Sequence, residues 1–257
     1  SYNRVIRKLV TDGTNWTVST FAGSPGNAGT NDGPGLAGAK FNIPAYVSAD
    51  ASNNLYVGDE FTYYNTLRKI TPDGNVTTVN FGGAFLRAAS PVGTASDKQG
   101  NLFAADSFLN IIWKNGDELA GGSTIIPGAV DGPANLARFN NPFDVAVDGS
   151  NNVYVADTGS STIRKIANGL VTTIAGNPPP TNSYGDVIDP GGAPIPGGFA
   201  DGVGTNALFY NPLGIAVDKS GLVYVADTYN HAIRKEWPAF FISAQPGSQT
   251  VQVNSDV

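Results

Sequence analysis

Short runs of apolar and β-branched residues, separated by polar turn signals, set the pattern of this chain. Residues 139–176 read FNNPFDVAVDGSNNVYVADTGSSTIRKIANGLVTTIAG. The runs FDVAVD and VYVAD flank the turn-forming GSNN, and STIRKIA and LVTTIAG follow across short polar or glycine breaks. This pattern predicts four strands of about five to seven residues joined by tight turns.

Parts of this four-strand unit recur along the chain. NRVIRKL and WTVSTFAG match only its third and fourth strands, so we expect the sequence to open in the middle of a unit. The third unit departs most, with Trp113-Lys114 where the others have Ile-Arg, and the fifth shows three strands and no evident fourth. The predicted units are a partial first at 1–23, a second at about 41–83, a third at 91–122, a fourth at 139–176 and a fifth at 209–236.

The strings NNPFDVAVD, VYVADT, NHAIRK and VTTIAG resemble NHL repeats, the blades of NHL-type β-propellers. The resemblance spans residues 1–237 and implies an all-β fold, a propeller of four-stranded blades that is incomplete at its N-terminus. Residues 238–257 are predicted to be a linker followed by the first strands of an immunoglobulin-like domain, because QPGSQTVQVNSDV resembles the openings of such domains in bacterial surface proteins. The resemblance therefore implies a bacterial multidomain protein, extracellular or at the cell surface, with adjoining domains in the same chain.

Composition narrows the function classes. Gly (32) and Pro (17) are abundant, as many turns between short strands require. The net charge of −6 argues against nucleic acid as a partner, since that affinity needs clustered Lys and Arg. No apolar run approaches the roughly 20 residues of a membrane span. The chain has no Cys, which excludes disulfides and thiolate catalysis, and the sequence looks like a mature or excised piece without a signal peptide.

Three recurring features are interpreted as scaffolding. Asp50/Asn54, Asp97/Asn101 and Asp148/Asn152 are expected to form turns between first and second strands, with a Ca²⁺ loop as the alternative. In three units an Asp at the end of the second strand is followed by an Arg on the third, and we expect these to pair: Asp59 with Arg68, Asp157 with Arg164 and Asp227 with Arg234. The DG strings that begin at Asp32, Asp131 and Asp201 are interpreted as N-caps of single helical turns, with the following Ala and Phe packing on the next blade.

His231 is the only histidine, and it stands where the repeat motif has one, so a structural role is favoured over catalysis. His-ligated zinc sites need two or three imidazoles, and the resemblance therefore does not extend to the amidating-lyase members of this propeller class. We expect no cofactor, and any bound ion would be Ca²⁺-like and held by oxygens.

A candidate binding face follows from strand direction. Connections from strand two to three and from strand four to the next blade share one face of a propeller, and that face carries the long segments 24–40, 123–138 and 177–208. Rings and carboxylates on these connections could bind a sugar or a peptide, or the rings could pack the loops themselves. The two interpretations are equally favoured for Tyr63 and Tyr64, and packing is favoured for the other rings. The candidate ligand-binding residues are Tyr63, Tyr64, Phe108, Tyr184, Asp186, Asp189 and Tyr229.

The sequence favours a non-catalytic binding or scaffolding module that recognises a protein or carbohydrate through this face. One alternative is a metal-dependent hydrolase or lyase that uses carboxylates such as Asp186 and Asp189 at the channel mouth. A second alternative is a structural spacer in a surface layer or filament. Whether the chain is an enzyme stays open at this point.

Overall fold

The computed structural model describes residues 2–60, 66–79, 91–122, 126–182, 197–237 and 241–243. These residues form β-strands, turns and three short 3-10 helices, and no α-helix is present among them. Within the same residues no helix is long and apolar enough to cross a membrane. The all-β class predicted from the sequence is confirmed.

The 3-10 helices are Thr158–Ser160, Gly204–Asn206 and Thr228–Asn230. The strands are β1 (Val5–Thr11), β2 (Trp16–Gly23), β3 (Gly33–Pro34), β4 (Ile43–Ala49), β5 (Leu55–Glu60), β6 (Thr66–Ile70), β7 (Asn75–Val79), β8 (Pro91–Ser96), β9 (Leu102–Asp106), β10 (Ile111–Lys114), β11 (Asp117–Ala120), β12 (Gly132–Pro133), β13 (Pro142–Val147), β14 (Val153–Asp157), β15 (Thr162–Ala167), β16 (Leu170–Ala175), β17 (Gly202–Val203), β18 (Pro212–Val217), β19 (Val223–Asp227), β20 (Ala232–Trp237) and β21 (Phe241–Ser243).

Each of the second to fifth units folds as an antiparallel meander, a blade. The orders are β4-β5-β6-β7, β8-β9-β10-β11, β13-β14-β15-β16 and β18-β19-β20-β21, and β1 and β2 form a separate two-stranded sheet. The fifth unit differs from the sequence interpretation. Its fourth strand is β21, which pairs with β20 through Lys235↔Ser243 and lies in the segment that the sequence suggested was a linker. The short run FIS lacks the VTT-type signal of the other fourth strands.

The first strands of the blades lie side by side. β13 contacts β8 on one side and β18 on the other, and β8 also contacts β4. These four strands are therefore the inner strands of the propeller. Each carries a register shift near its start, for example between Pro142 and Asp144. Such a shift re-aims the side chains that follow it.

The hydrophobic core lies between blades. Ile163 and Ile174 of the fourth blade pack with Phe209 and Val225 of the fifth. The third and fourth blades share a second cluster, the second and third blades share another, and the β1–β2 sheet packs on the second blade in the same way. Because each blade buries its faces against its neighbours, the fold is stabilised by a series of nearest-neighbour interfaces.

The links between blades also contribute short strands to the blades that follow them. In the described part of the chain, three links each form a short extra strand on the outer edge of the next blade: β3 pairs with β7, β12 with β16 and β17 with β21. The second halves of the segments 24–40 and 123–138 therefore belong to blade edges rather than to the candidate binding face predicted from the sequence. This edge strand covers backbone groups that a sheet edge would otherwise expose.

The Asp–Arg pairing predicted from the repeats is confirmed, and it includes more partners than expected. Arg164 is fully buried. Its Nη1 donates to Asp157 Oδ2 at 3.0 Å, and its Nη2 donates to Asp131 Oδ1 at 2.6 Å. The guanidinium also donates to two backbone carbonyls of the link and lies 5.2 Å from the ring centroid of Phe139. One side chain therefore ties the second strand, the third strand and the edge segment together.

The same arrangement surrounds Arg68 and Arg234. Arg68 pairs with Asp32 at 2.7 Å and with Asp59 at 3.6 Å, and Arg234 pairs with Asp201 and Asp227. The N-cap interpretation of the DG strings is therefore wrong. The 3-10 helix Gly204–Asn206 has Val203 at its N-cap position and no side-chain cap. The carboxylates of the DG strings instead accept hydrogen bonds from the buried Arg side chains.

The third blade replaces this arrangement. Register places Trp113 opposite Ala104, as Arg164 lies opposite Val155, so Trp113 stands at the Arg position and not one residue before it. Its indole Nε1 donates to Asp106 Oδ2 at 3.2 Å. This four-stranded blade has no edge strand from a preceding link among the described residues. The indole therefore supplies one donor to the strand-end carboxylate in place of the guanidinium.

The turns between first and second strands match the turn interpretation. Asp148 Oδ1 accepts the backbone N–H groups of Ser150 and Asn152, and its Oδ2 accepts Asn152 Nδ2 at 2.7 Å. Burial acts to raise the pKa of Asp148, but these hydrogen bonds outweigh it and hold that pKa below its usual value. Asp50, Asp97 and Asp218 accept the corresponding backbone bonds in their own turns. The carboxylate oxygens are thus used by the turns themselves.

Candidate functional site

The long-loop face keeps a set of exposed rings among its described residues. The long-loop face comprises the connections from second to third strands, at 107–110, 158–161 and 228–231. It also includes residues 177–182 and 197–200 of the link before the fifth blade. Tyr63, Tyr64, Tyr184, Asp186 and Asp189 lie outside the described residues, so their predicted role stays a prediction. Phe108 and Tyr229 are described, and both are 57% exposed.

Phe108 and Tyr229 occupy the same position in their blades. Each lies two residues after the Asp that ends the second strand, Asp106 or Asp227, where the fourth blade has Gly159. Asp106 Oδ1 accepts the N–H of Phe108 at 3.1 Å, which fixes that turn. The packing that the sequence favoured for these rings leaves more than half of each ring in solvent. Two blades therefore present an aromatic ring on this face, on either side of a blade that presents glycine.

Tyr229 is paired with a ring that the sequence analysis missed. The rings of Tyr210 and Tyr229 meet edge to face, with centroids 5.1 Å apart and planes at 89°. The N–H of Tyr229 donates to the carbonyl of Tyr210 at 3.1 Å, as Gly159 donates to Asn140 in the fourth blade. Asn230 Nδ2 also donates to the carbonyl of Gly198 at 2.9 Å, which joins this turn to the long link. Edge-to-face packing holds the Tyr229 ring in place, and the residue remains more than half exposed.

A second feature lies among the inner strands. A cavity of about 230 Å³ lies between the four inner strands, and Tyr46, Ser48, Thr94, Asp144 and Ile215 contribute to its wall. Asp144 is the third residue of β13, close to the end that begins at the long-loop face. Counted back from the Asp of the following turn, the other inner strands have Tyr46, Gly93 and Gly214 at this position. That departure from the repeat was the available sequence signal for Asp144, and the sequence analysis did not use it.

Backbone donors from two blades hold the Asp144 carboxylate. Oδ1 accepts the N–H of Val145 at 2.9 Å, and Oδ2 accepts the N–H of Ile215 in the fifth blade at 3.0 Å. On the other side the carboxylate lies against Gly93, where a Cβ would come within 1.9 Å of Oδ1. Burial raises the pKa of Asp144 to about 6, against the two backbone hydrogen bonds, which lower it.

The metal-dependent alternative finds no site in the described part of the chain. No group of three or more His, Cys, Asp or Glu side chains there could hold a metal ion. At the opposite end of the inner strands, a cavity of about 340 Å³ is lined in part by Asp97, Asp148 and Asp218. Those carboxylates are engaged by their own turns. His231 is exposed and adopts a left-handed conformation with φ of 53° at the C-cap of a 3-10 helix, as Ser161 does, which fits the structural role expected for it.

The repeat model described as "NHL repeat" matches residues 139–166 and 209–235. The chain contains NHL repeats. NHL repeat-containing protein 2 of Gallus gallus is 29% identical over 273 residues, which is 89% of this chain and 35% of that protein. The protein of the same name from Homo sapiens is 40% identical over 88 residues, 32% of this chain and 10% of that protein. The chain thus spans about a third or less of the length of these relatives.

Solved structures support the propeller fold. An auxiliary nutrient binding protein from Bacteroides thetaiotaomicron superposes with a TM-score of 0.58 at 16% identity, over 90% of this chain and 56% of that one. A putative phosphatase from the same organism gives a TM-score of 0.60 at 15% identity, over 95% of this chain and 55% of that one. Virginiamycin B lyase from Staphylococcus aureus gives 0.50 at 10% identity, over 95% and 70%. Proteins with such different names share the architecture, so the fold alone does not decide the function.

Proposed function

We propose that this chain is a non-catalytic recognition module that binds a glycan through its long-loop face. The observation that carries the proposal is the pair of equivalent, half-exposed rings, Phe108 and Tyr229, on blades that flank Gly159. Rings held by their turns lose little side-chain freedom on binding, which lowers the entropic cost. A sugar ring offers an apolar face to an aromatic ring and a hydroxyl rim to the polar groups around it.

The surroundings of Tyr229 favour this ligand class. Tyr210 and Tyr229 each carry a phenol hydroxyl that can donate and accept, and the neighbouring Asn230 is hydrogen-bonded to the carbonyl of Gly198. The candidate residues outside the described part, Tyr63, Tyr64 and Tyr184, would extend the same surface. We also propose that the module works outside the cell or at its surface, joined to an immunoglobulin-like domain that begins in 245–257.

The test is a binding screen against a panel of immobilised polysaccharides, followed by affinity measurements on any glycan retained. Tyr229→Ala and Phe108→Ala should each weaken binding about twofold to twelvefold, because a stacked ring contributes about 0.5–1.5 kcal/mol beyond its buried area. Leu170→Ala is the matched control. Leu170 is 50% exposed and follows a turn between third and fourth strands, on the opposite face.

Three outcomes would contradict the proposal. The first is equal loss in the Leu170→Ala control, and the second is full affinity in the Tyr229→Ala and Phe108→Ala double variant. The third is a partner that proves to be a protein and retains full binding when both rings are removed. Circular dichroism of every variant separates loss of binding from loss of fold.

A further inference from the structure

The cavity around Asp144 has a chemical character different from that of the long-loop face. Its wall combines one carboxylate, the hydroxyls of Ser48 and Thr94, the ring of Tyr46 and aliphatic groups such as Ile215. No Lys, Arg or His belongs to this wall among the described residues. The polar groups on offer are therefore mainly acceptors of hydrogen bonds, or hydroxyls that can act as acceptors.

The carboxylate is held in place without a cation. Two backbone N–H groups, from Val145 and Ile215, occupy one position on each oxygen. No ion pair joins Asp144 to a basic side chain in the described part of the chain. A carboxylate oxygen can accept more than one hydrogen bond, so acceptor capacity remains. The Asp144 carboxylate is partly buried and pairs with no basic side chain among the described residues, and that arrangement favours a positively charged ligand.

Ser48, Thr94 and Tyr46 line the same cavity as Asp144 and carry groups that can contact a compact cation. The hydroxyls of Ser48 and Thr94 are hydrogen-bonded to each other across two inner strands, and each oxygen keeps a free lone pair. The ring of Tyr46 is fixed by edge-to-face contact with Phe143 at 5.5 Å between centroids. An ammonium group has three donors and is attracted to aromatic faces.

We propose that this cavity binds the primary ammonium group of a small ligand, with Asp144 as its counter-ion, the Ser48–Thr94 pair as further acceptor and Tyr46 as aromatic wall. The site is separate from the glycan surface and does not depend on it. The volume of about 230 Å³ suits a head group with a short aliphatic stem rather than a polymer. Asp144 also has a structural role, because the hydrogen bond that it accepts from the Ile215 N–H joins two blades.

The experiment uses n-butylammonium as the probe and n-butanol as its uncharged counterpart. Both are titrated into the ¹⁵N-labelled chain, and the amide signals of Val145 and Ile215 are followed, since these N–H groups donate directly to Asp144. We expect saturable shifts of both amides with n-butylammonium, and an affinity for n-butanol at least tenfold weaker. Equal binding of the alcohol, or shifts that never saturate, would overturn the proposal.

Variants assign the binding to the cavity. Asp144→Asn should weaken n-butylammonium binding at least tenfold. Asp218→Asn, which removes a carboxylate from the far end of β18, should leave the affinity within about twofold. If both variants weaken binding equally, general attraction to a negatively charged protein explains the result and the proposal fails. If Asp144→Asn does not fold, Thr94→Val takes its place, with a loss of at least threefold expected and unchanged affinity as the contrary result.

Discussion

Replacing Arg164 with Ala tests whether the buried Arg–Asp arrangement holds the blades together. The variant leaves Asp157, which is fully buried, without a cation and removes donors from two link carbonyls. Breaking a buried pair by removing one partner costs about 3–5 kcal/mol, since the remaining charge stays in a poorly hydrated place. We therefore expect the free energy of unfolding to fall by about that amount.

Two companion variants make the prediction specific. Asp131→Asn should cost about 1 kcal/mol or less, because the Asp131 side chain is 47% exposed and its ion pair is screened by water. Lys165→Ala removes a neighbouring cation on the same strand, which lies 5.5 Å from the Tyr154 ring centroid, and should also cost about 1 kcal/mol or less. In Arg164→Ala combined with Asp157→Asn, the second change should recover part of the loss because it neutralises the stranded charge.

The assay is urea unfolding followed by far-UV circular dichroism, with free energies compared only between variants of equal m-value. A cost for Arg164→Ala as small as that for Lys165→Ala would refute the reasoning. So would an Asp131→Asn variant as unstable as Arg164→Ala, because the half-exposed carboxylate would then carry the interaction.

Three further predictions follow from the inner strands. Gly93→Ala should destabilise the fold by about 1–3 kcal/mol because its Cβ would lie 1.9 Å from Asp144 Oδ1. Gly214→Ala is the control: the nearest atom to its Cβ would be 3.4 Å away, so stability should change by about 0.5 kcal/mol or less. Equal destabilisation of the two variants in thermal unfolding would contradict this prediction. Asp148→Ala should cost about 1–2 kcal/mol in urea unfolding through the loss of its turn hydrogen bonds, and an unchanged midpoint would contradict it. The pKa of Asp144 is raised from 3.8 to about 6 on folding, so its contribution to the free energy of unfolding is full below pH 3.8 and is lost as pH rises through 6. The free energy of unfolding of the wild type, relative to that of Asp144→Asn, should therefore fall over this pH range. A flat or rising difference would contradict the prediction.

The repeat pattern predicted the blades because strand length and turn chemistry are local. Alternating apolar runs such as VYVAD, bounded by Asp and Asn, specify a strand and its turn wherever they occur. The Asp–Arg pairing was also predictable, since an Asp that ends the second strand is followed by an Arg on the third strand in three units. The outer partners, Asp32, Asp131 and Asp201, were assigned to the wrong role because they lie about 30 residues from their Arg, and only the path of the link brings them together.

By itself the sequence determined the fold class, the four-strand unit and the scaffold role of the recurring residues, all of which depend on short-range pattern. Only the tertiary structure decided which side chains meet across blades. Tyr210 pairs with Tyr229 because a link returns to the start of the inner strand, and Asp144 reaches Ile215 because neighbouring inner strands lie side by side. The physical reason is that each contact joins segments on different strands, whose proximity depends on how the blades stack and not on the residues adjacent to them in sequence.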